Sequence, residues 1–571
     1  MCGIAGMVGH RPEAVERMVA LLRHRGPDGS AVVAGGRSTL GCARLAIRGG
    51  DQGAQPLRTA RGLLVFNGEI YNLPELVKEL AWHGHHVDGG SDTQVAGALL
   101  DRKGIRAIDQ WNGMFALAWD DGETLWLARD PAGIKPLYYT ENAFASEIRP
   151  LLPPSPLLSP VALRRWLTFH VAYGEETFFD GIRRVPPGGV VALPDPRVTR
   201  RGDPALVFSA PNPALDEARL RKVLERSVAD ALPEERFGVT LSGGVDSTLV
   251  AALAREGGRA TAYHGRVAEA GCDESPFARA AAAEIGLPLV EVPITAAACL
   301  DALPKVVRAL EEPVAGPGAV AQWLVAERAA RDVRILLSGC GGDELFGGYA
   351  RTVALLRDEP PEGLQAYAPL FARARGLPPA TRAFELLSRR EGSLFARDLL
   401  DRHPSPREEF EEAFAVGGLD PLAAAGRAEI AIVLPGLLQV EDRVSMAFGV
   451  ESRVPLLDRR LLRCAARLAP EARVDAEGRP KALFRSAAAP HLPAAIRARR
   501  DKMGFPLPLA LWLGGPWRPF AKDLLLDRRT RERGMVDPLR AEEALAAAAP
   551  YDRGLYAAIL LELWCRAFLD G

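Results

Sequence analysis

The chain has 571 residues, enough for roughly two to four domains, each with its own core. Its 71 basic and 72 acidic residues leave a net charge of −1, which gives no global attraction to nucleic acid or an anionic membrane. Seven scattered cysteines without paired zinc-type spacing read as reduced thiols of a cytoplasmic protein, and no run approaches the apolar length of a membrane span.

Cys2 stands directly behind Met1, ahead of Gly3, Ile4, Ala5 and Gly6. Removal of Met1 would place a thiol and a free α-amino group, which titrates at roughly 7.7 to 8.0, on one residue: a nucleophile with its base attached. From there to about residue 147 the pattern is β-rich, with strands at 63–66, 114–119 and 124–128 and helices at 73–82 and 93–100, an α+β unit. Prolines at 150, 153, 154, 156 and 160 mark a candidate boundary, followed by helix and loop to about residue 213. The pattern then changes to a helix around Leu220–Val228, a strand at 237–241, a Gly-rich turn and a helix at 248–254. Further strands are expected at 260–264 and 333–337, between Ala-rich helices. Such alternation implies a parallel sheet that binds ligands at the carboxyl ends of its strands. Beyond Asp343 the chain reads as mainly helical.

Two turns carry chemistry. Ser242-Gly243-Gly244-Val245-Asp246-Ser247 follows a strand and opens a helix, so its glycines let backbone N–H groups approach a phosphate while the serine hydroxyls add donors. Asp246 faces phosphate favourably only through a cation, which makes it a candidate Mg²⁺ ligand. The second turn, Ser338-Gly339-Cys340-Gly341-Gly342-Asp343-Glu344, again places glycines and an acid after an apolar strand, and Asp343 could share that metal. His83, His85 and His86 lack further ligands at metal spacing and read as a solvated cluster, as does the 497–500 run of Arg497, Arg499 and Arg500.

The CGIAG start, the RHRGPD motif ending at Asp28, NGEIYN from Asn67, SDT from Ser91 and ARDPAGIKPLYY from Ala128 resemble a class II glutamine amidotransferase domain. SGGVDS, SGCGGDELFGGY, the VEDRVSMAFGVESRVPLLD run from Val440, Lys481 and the Lys502-Met503-Gly504-Phe505 segment resemble the synthetase domain of glutamine-hydrolysing asparagine synthetases. The resemblance implies an N-terminal-nucleophile sandwich over residues 1–210, connector included. It implies an adenine-nucleotide α-hydrolase-like (PP-loop) parallel-sheet domain with a helical C-terminal part over 211–571. Cys2 would attack the amide of glutamine, with Asn67 and the Gly68 N–H stabilising the oxyanion. Arg44, Ile47, Asn67, Glu69 and Asp92 would hold glutamine, the arginine at its carboxylate and the acids at its ammonium. Leu241, Ser242, Gly243, Gly244, Asp246, Ser247, Ser338, Gly339 and Lys481 would bind ATP, Lys481 at the α-phosphate, with Mg²⁺ on Asp246 and Asp343. The acceptor carboxylate, aspartate in the family reaction, would be adenylated and then amidated by ammonia channelled from Cys2. A homodimer is the expected assembly, with no nucleic-acid or membrane partner.

Three departures stand out. Cys340 replaces a usual Asp or Glu, so either another acid, Glu311 or Glu312, supplies the charge, or the acceptor does. Gly316 and Gly318 stand where many relatives have Asp and Ser, which with Cys340 and Glu312 defines a tentative, roomier acceptor pocket, open to a bulkier carboxylate. Cys42 stands where His is common, and its side chain is expected to pack. A ring-closing synthetase of the same ancestry is disfavoured by the intact set of glutamine-site residues.

Overall fold

The computed structural model describes residues 1–87, 90–200, 208–255, 258–269, 271–314, 316–389, 394–500, 507–547 and 553–570. The Lys502-Met503-Gly504-Phe505 segment lies outside them.

The N-terminal unit is built on two antiparallel six-stranded sheets. Cys2–Val8 is central in the first, between Ser38–Arg44 and Ala143–Ala145. Leu63–Ile70 and Gly113–Asp120 pair over their full length in the second. Alternate side chains of both sheets, among them Ile4, Leu40, Val65, Ala118 and Leu127, meet in a core between them. Helices cover the outer faces: Pro12–Ala20 through Val15 and Val19 on the first sheet, Leu73–Trp82 and Asp92–Lys103 through Leu76, Val95 and Leu99 on the second. The result is a four-layer helix–sheet–sheet–helix sandwich. The three strands expected here are present: those at 63–66 and 114–119 run on to Leu63–Ile70 and Gly113–Asp120, and that at 124–128 is shifted by one residue to Leu125–Arg129.

The strand at Cys2–Val8 escapes sequence periodicity because both of its faces are buried and two positions are glycine. A Cβ at Gly3 would sit 2.7 Å from Leu22 Cβ, and one at Gly6 would sit 2.5 Å from the Phe144 ring. The prolines at 150–160 do not end this unit. Strands Val190–Leu193 and Arg197–Arg200 continue the second sheet, and Arg183–Arg184 completes the first.

The second unit holds a five-stranded, wholly parallel sheet. Its order across the sheet is Leu289–Ile294, Ala260–Val267, Phe237–Thr240, Ile335–Leu337 and Glu451–Arg453. Chain order therefore runs outward in one direction from Phe237–Thr240 and then in the other from Ile335–Leu337. The crevice between these two neighbours is a topological switch point, where open α/β sheets bind ligands. The remainder is mainly helical, as expected, except for Glu451–Arg453. That three-residue strand is wholly polar yet buried at every position, so no hydrophobic pattern announces it.

Pro421–Met446 forms one 26-residue helix with a mean hydropathy of 1.4 over its most apolar window, which corrects the expectation that no run approaches membrane-spanning length. Half of that window is buried within the protein, and Leu434, Leu438, Val440 and Val444 lie in its cores. The helix also carries the charged seam between the units. Arg25 donates to Asp442 (2.8 and 3.1 Å) and Glu147 (3.0 Å), and Arg443 pairs with Glu147 (2.8 Å) and Glu311 (2.7 Å), all with buried side chains. Charges this deep are tolerated because each faces a partner, and their directional pairing fixes how the units meet.

Candidate functional sites

The first site lies where the two sandwich sheets approach Cys2. Its backbone N–H donates to Asn67 Oδ1 at 3.0 Å, which fixes the amide and leaves Asn67 Nδ2 buried without a hydrogen-bond partner. Such a donor is costly to bury unless a ligand completes it, and it lies beside Cys2. Gly68 has no room for a side chain, because a Cβ there would meet the Met114 carbonyl at 2.1 Å. The Cys2 thiol is lowered to about 6 by a hydrogen bond from Cys42, against burial, with help from the ammonium of Met1. Cys42 is itself pushed well above its ordinary range by that bond and by burial, so it stays a neutral donor. It packs, as expected, but against the Cys2 sulfur. Gln55 Nε2 also donates to Cys2 Sγ at 3.7 Å, a contact with no sequence signal.

Arg44, Glu69 and Asp92 line one small cavity of about 30 Å³ with Cys2 and Gly68; Ile47 does not, and packs half-buried against the core between the units. Glu69 is fully buried and raised to about 8 by burial and by Asp92, with Arg453 opposing. Asp92 accepts from Ile70 N at 2.7 Å. Arg48, which the sequence reading passed over, lies 3.4 Å from Glu69 and 3.6 Å from Asp92.

The second site is a cavity of about 270 Å³ at the switch point, walled by both Gly-rich turns. Ser242 Oγ and Ser247 Oγ are 3.0 Å apart, and Gly244 caps the helix Val245–Ala254, whose N-terminus faces the crevice. Gly339 and Gly342 allow the turns to touch: Cβ atoms there would lie 2.7 Å from Ser247 N and 2.3 Å from Asp246 Oδ1. Leu241, Ser338, Gly339 and Cys340 line the cavity. Gly243 does not; it turns away with φ +75° against Phe277, and its carbonyl accepts from Arg499. Arg499 is thus not the solvated residue expected, but a buried clamp between this turn and Glu274. His83, His85 and His86 are exposed, as expected.

Lys481 Nζ bridges the two acids, 2.6 Å from both Asp246 oxygens and 2.5 Å from Asp343. The two carboxylates therefore converge on one point. Among the described residues no group of three or more metal-ligating side chains does so. An oxygen-only pair of acids suits a hard cation such as Mg²⁺ when substrate phosphates and water complete its shell.

The acceptor-pocket expectation needs correction. Glu311 accepts from Ile148 N, Arg149 N and Arg443, and Glu312 from Phe178 N, Arg184 and Gln439; both are fully buried away from the cavity. Gly318 only opens the helix Gly318–Ala329, of which Gln322, Val325 and Ala326, further along, face the cavity. The acids that do surround Cys340 are Glu344 and Glu441, with Asp343 and Asp246 beyond them. Burial and these acids hold the Cys340 thiol well above its ordinary range, so it is neutral. Glu344, hydrogen-bonded by the Tyr349 hydroxyl, is raised to about 7 by burial and Asp343.

One strand joins the two sites. Arg453 lies 3.3 Å from Glu69, while its neighbour Ser452 donates to Glu441, which also accepts from Ser338 at 3.2 Å.

The fold and both sites define a two-unit enzyme of amidotransferase type, an N-terminal nucleophile sandwich fused to a parallel-sheet unit. The glutamine amidotransferase domain family matches residues 1–201, and the asparagine synthase family matches residues 219–566. The chain belongs to the asparagine synthase family. A putative glutamine-hydrolysing asparagine synthetase of Mycobacterium tuberculosis H37Rv is 34% identical over 90% of this chain and 86% of its own length. Asparagine synthetase 1 of Bacillus subtilis 168 is 28% identical over 99% and 96%. Asparagine synthetase B of Escherichia coli K12 is 27% identical over 88% and 81%.

Proposed function

We propose that the chain is a cytoplasmic glutamine-dependent asparagine synthetase, with a glutaminase unit over residues 1–210 and a PP-loop synthetase unit over 211–571. The observation that carries this reading is the pairing of a depressed Cys2 thiol and an unpartnered Asn67 amide with a phosphate-type crevice holding two convergent acids.

The Cys2 thiolate attacks the side-chain carbonyl carbon of glutamine, and the oxyanion is met by Asn67 Nδ2 and the Gly68 N–H. The Cys2 α-ammonium, freed by removal of Met1, gives the amide nitrogen the proton with which it leaves as ammonia, and water then hydrolyses the thioester to glutamate. In the crevice the turn at 242–247 holds the phosphates of ATP, and Asp246 and Asp343 would hold Mg²⁺, which would neutralise phosphate charge. Lys481 offers a point charge to the α-phosphate. The aspartate carboxylate attacks the α-phosphorus and pyrophosphate departs. Ammonia passing between the units then displaces AMP from the acyl carbon. Glu344, on the short helix Gly342–Phe346 that follows Cys340 and raised to about 7, supplies the acid that position 340 lacks and takes the proton shed by the attacking ammonia.

Exchange of labelled pyrophosphate into ATP tests the acceptor. Aspartate is expected to raise the exchange at least about tenfold over ATP alone; no response to aspartate would overturn the acceptor assignment.

A further inference from the structure

The two charged poles that glutamine would use are already satisfied by one loop. Residues 45–53 follow the strand that ends at Arg44, and they place the Arg48 guanidinium 3.4 Å from Glu69 and 3.6 Å from Asp92. The same loop turns back through Gly49 and Gly50, both in the left-handed region at φ +82° and +44°, so that the Gly50 carbonyl accepts from the Arg44 guanidinium. A cation therefore sits on the acids meant for an α-ammonium, and a carbonyl sits on the arginine meant for an α-carboxylate. What remains beside Cys2, with Met1 still in place along the same wall, is about 30 Å³, the share of liquid volume of roughly one water molecule. Removal of Met1 frees neither charged pole, so both ends of glutamine reach Arg44, Glu69 and Asp92 only when the loop withdraws.

We propose that the 45–53 loop is an internal plug that mimics both ends of an amino acid, with Arg48 as its cationic pole, and that glutamine binds only by displacing it. The inference rests on the glutaminase reading of Cys2. Arg48 is suited to such a role: its side chain is 35% exposed, so it can swing into solvent, whereas Glu69 and Asp92 stay buried at 3% and 7%. The adjacent pair of left-handed glycines gives the loop a place to hinge. Arg453 on the far side of Glu69 still keeps that acid paired when Arg48 leaves. A site plugged in this way binds with an affinity reduced by the fraction of time the plug is out.

Calorimetric titration of glutamine into full-length Cys2→Ala and Cys2→Ala/Arg48→Ala measures this without turnover. The second protein is expected to bind roughly three- to thirtyfold more tightly, the range set by one partly exposed cation shared between two acids. In parallel, Arg48→Ala alone should show a lower KM for glutamine in glutamate release without ATP, with kcat changed less than KM, while Arg48→Lys stays near the wild type. Equal or weaker binding by the double variant, with the single variant binding normally, overturns the plug and leaves the glutaminase reading intact. Failure of both proteins to bind glutamine overturns both.

Discussion

Lys481→Ala is expected to lower aspartate-dependent pyrophosphate exchange by at least about 10²- to 10³-fold, the usual cost of removing a preorganised charge from a transition state. The lysine is buried at 4% exposure, and its ammonium is the shared partner of Asp246 and Asp343. Without it the two carboxylates face each other in a partly buried crevice, which disfavours phosphate as well as the transition state. Lys481→Arg is not expected to rescue, because the planar guanidinium cannot take the place of a point charge between two acids in a pocket this close-packed; a Cβ at Gly348 would already lie 2.2 Å from Lys481 Cε. Glutamate release from glutamine in the same variant should stay within a few fold of wild type, since Cys2 belongs to the other unit. An equal fall in both activities would point to a folding defect and contradict the assigned role.

Cys2→Ala is expected to abolish glutamine hydrolysis, by about 10³-fold or more, while ammonium salts still support amidation. The finer test is Cys42→Ala. The bond from Cys42 is the largest influence holding the Cys2 thiol near 6, so the thiolate is present above that pH and lost as pH falls through it. Removing the donor raises the Cys2 thiol, and the acidic limb of glutaminase kcat/KM should move up by about one pH unit or more. A limb that stays near pH 6 would show that another group titrates there.

Much of the fold is legible in the sequence, and what is not has physical reasons. The strands at 113–120 and 237–240 carry alternating or continuous apolar runs, and the Gly-rich turns follow them directly. Cys2–Val8 and Glu451–Arg453 break that code: the first is pressed between other elements at its glycines, the second is polar and held by ion pairs drawn from both units. The two Gly-rich turns meet in one crevice because each follows a strand beside the switch point, whereas Ile47 and Gly243 lie outside the cavities the resemblance implied for them. Glu311 and Glu312 misled because adjacent acids carry no mark of which way their helix end faces. They serve the seam with Arg443 and Arg184. Arg48 left no motif to find, and Glu441, though inside the run from Val440, carries no mark there of the hydroxyls it meets across the fold.

The central claim is that nitrogen released at Cys2 reaches the adenylate without leaving the protein. Supplying glutamine labelled with ¹⁵N at the side-chain amide, together with ATP, aspartate and an excess of unlabelled ammonium at a pH near 7, tests it directly. Asparagine carrying mostly ¹⁵N in its amide is the predicted result. Asparagine labelled only in proportion to the mixed ammonia pool would contradict the account.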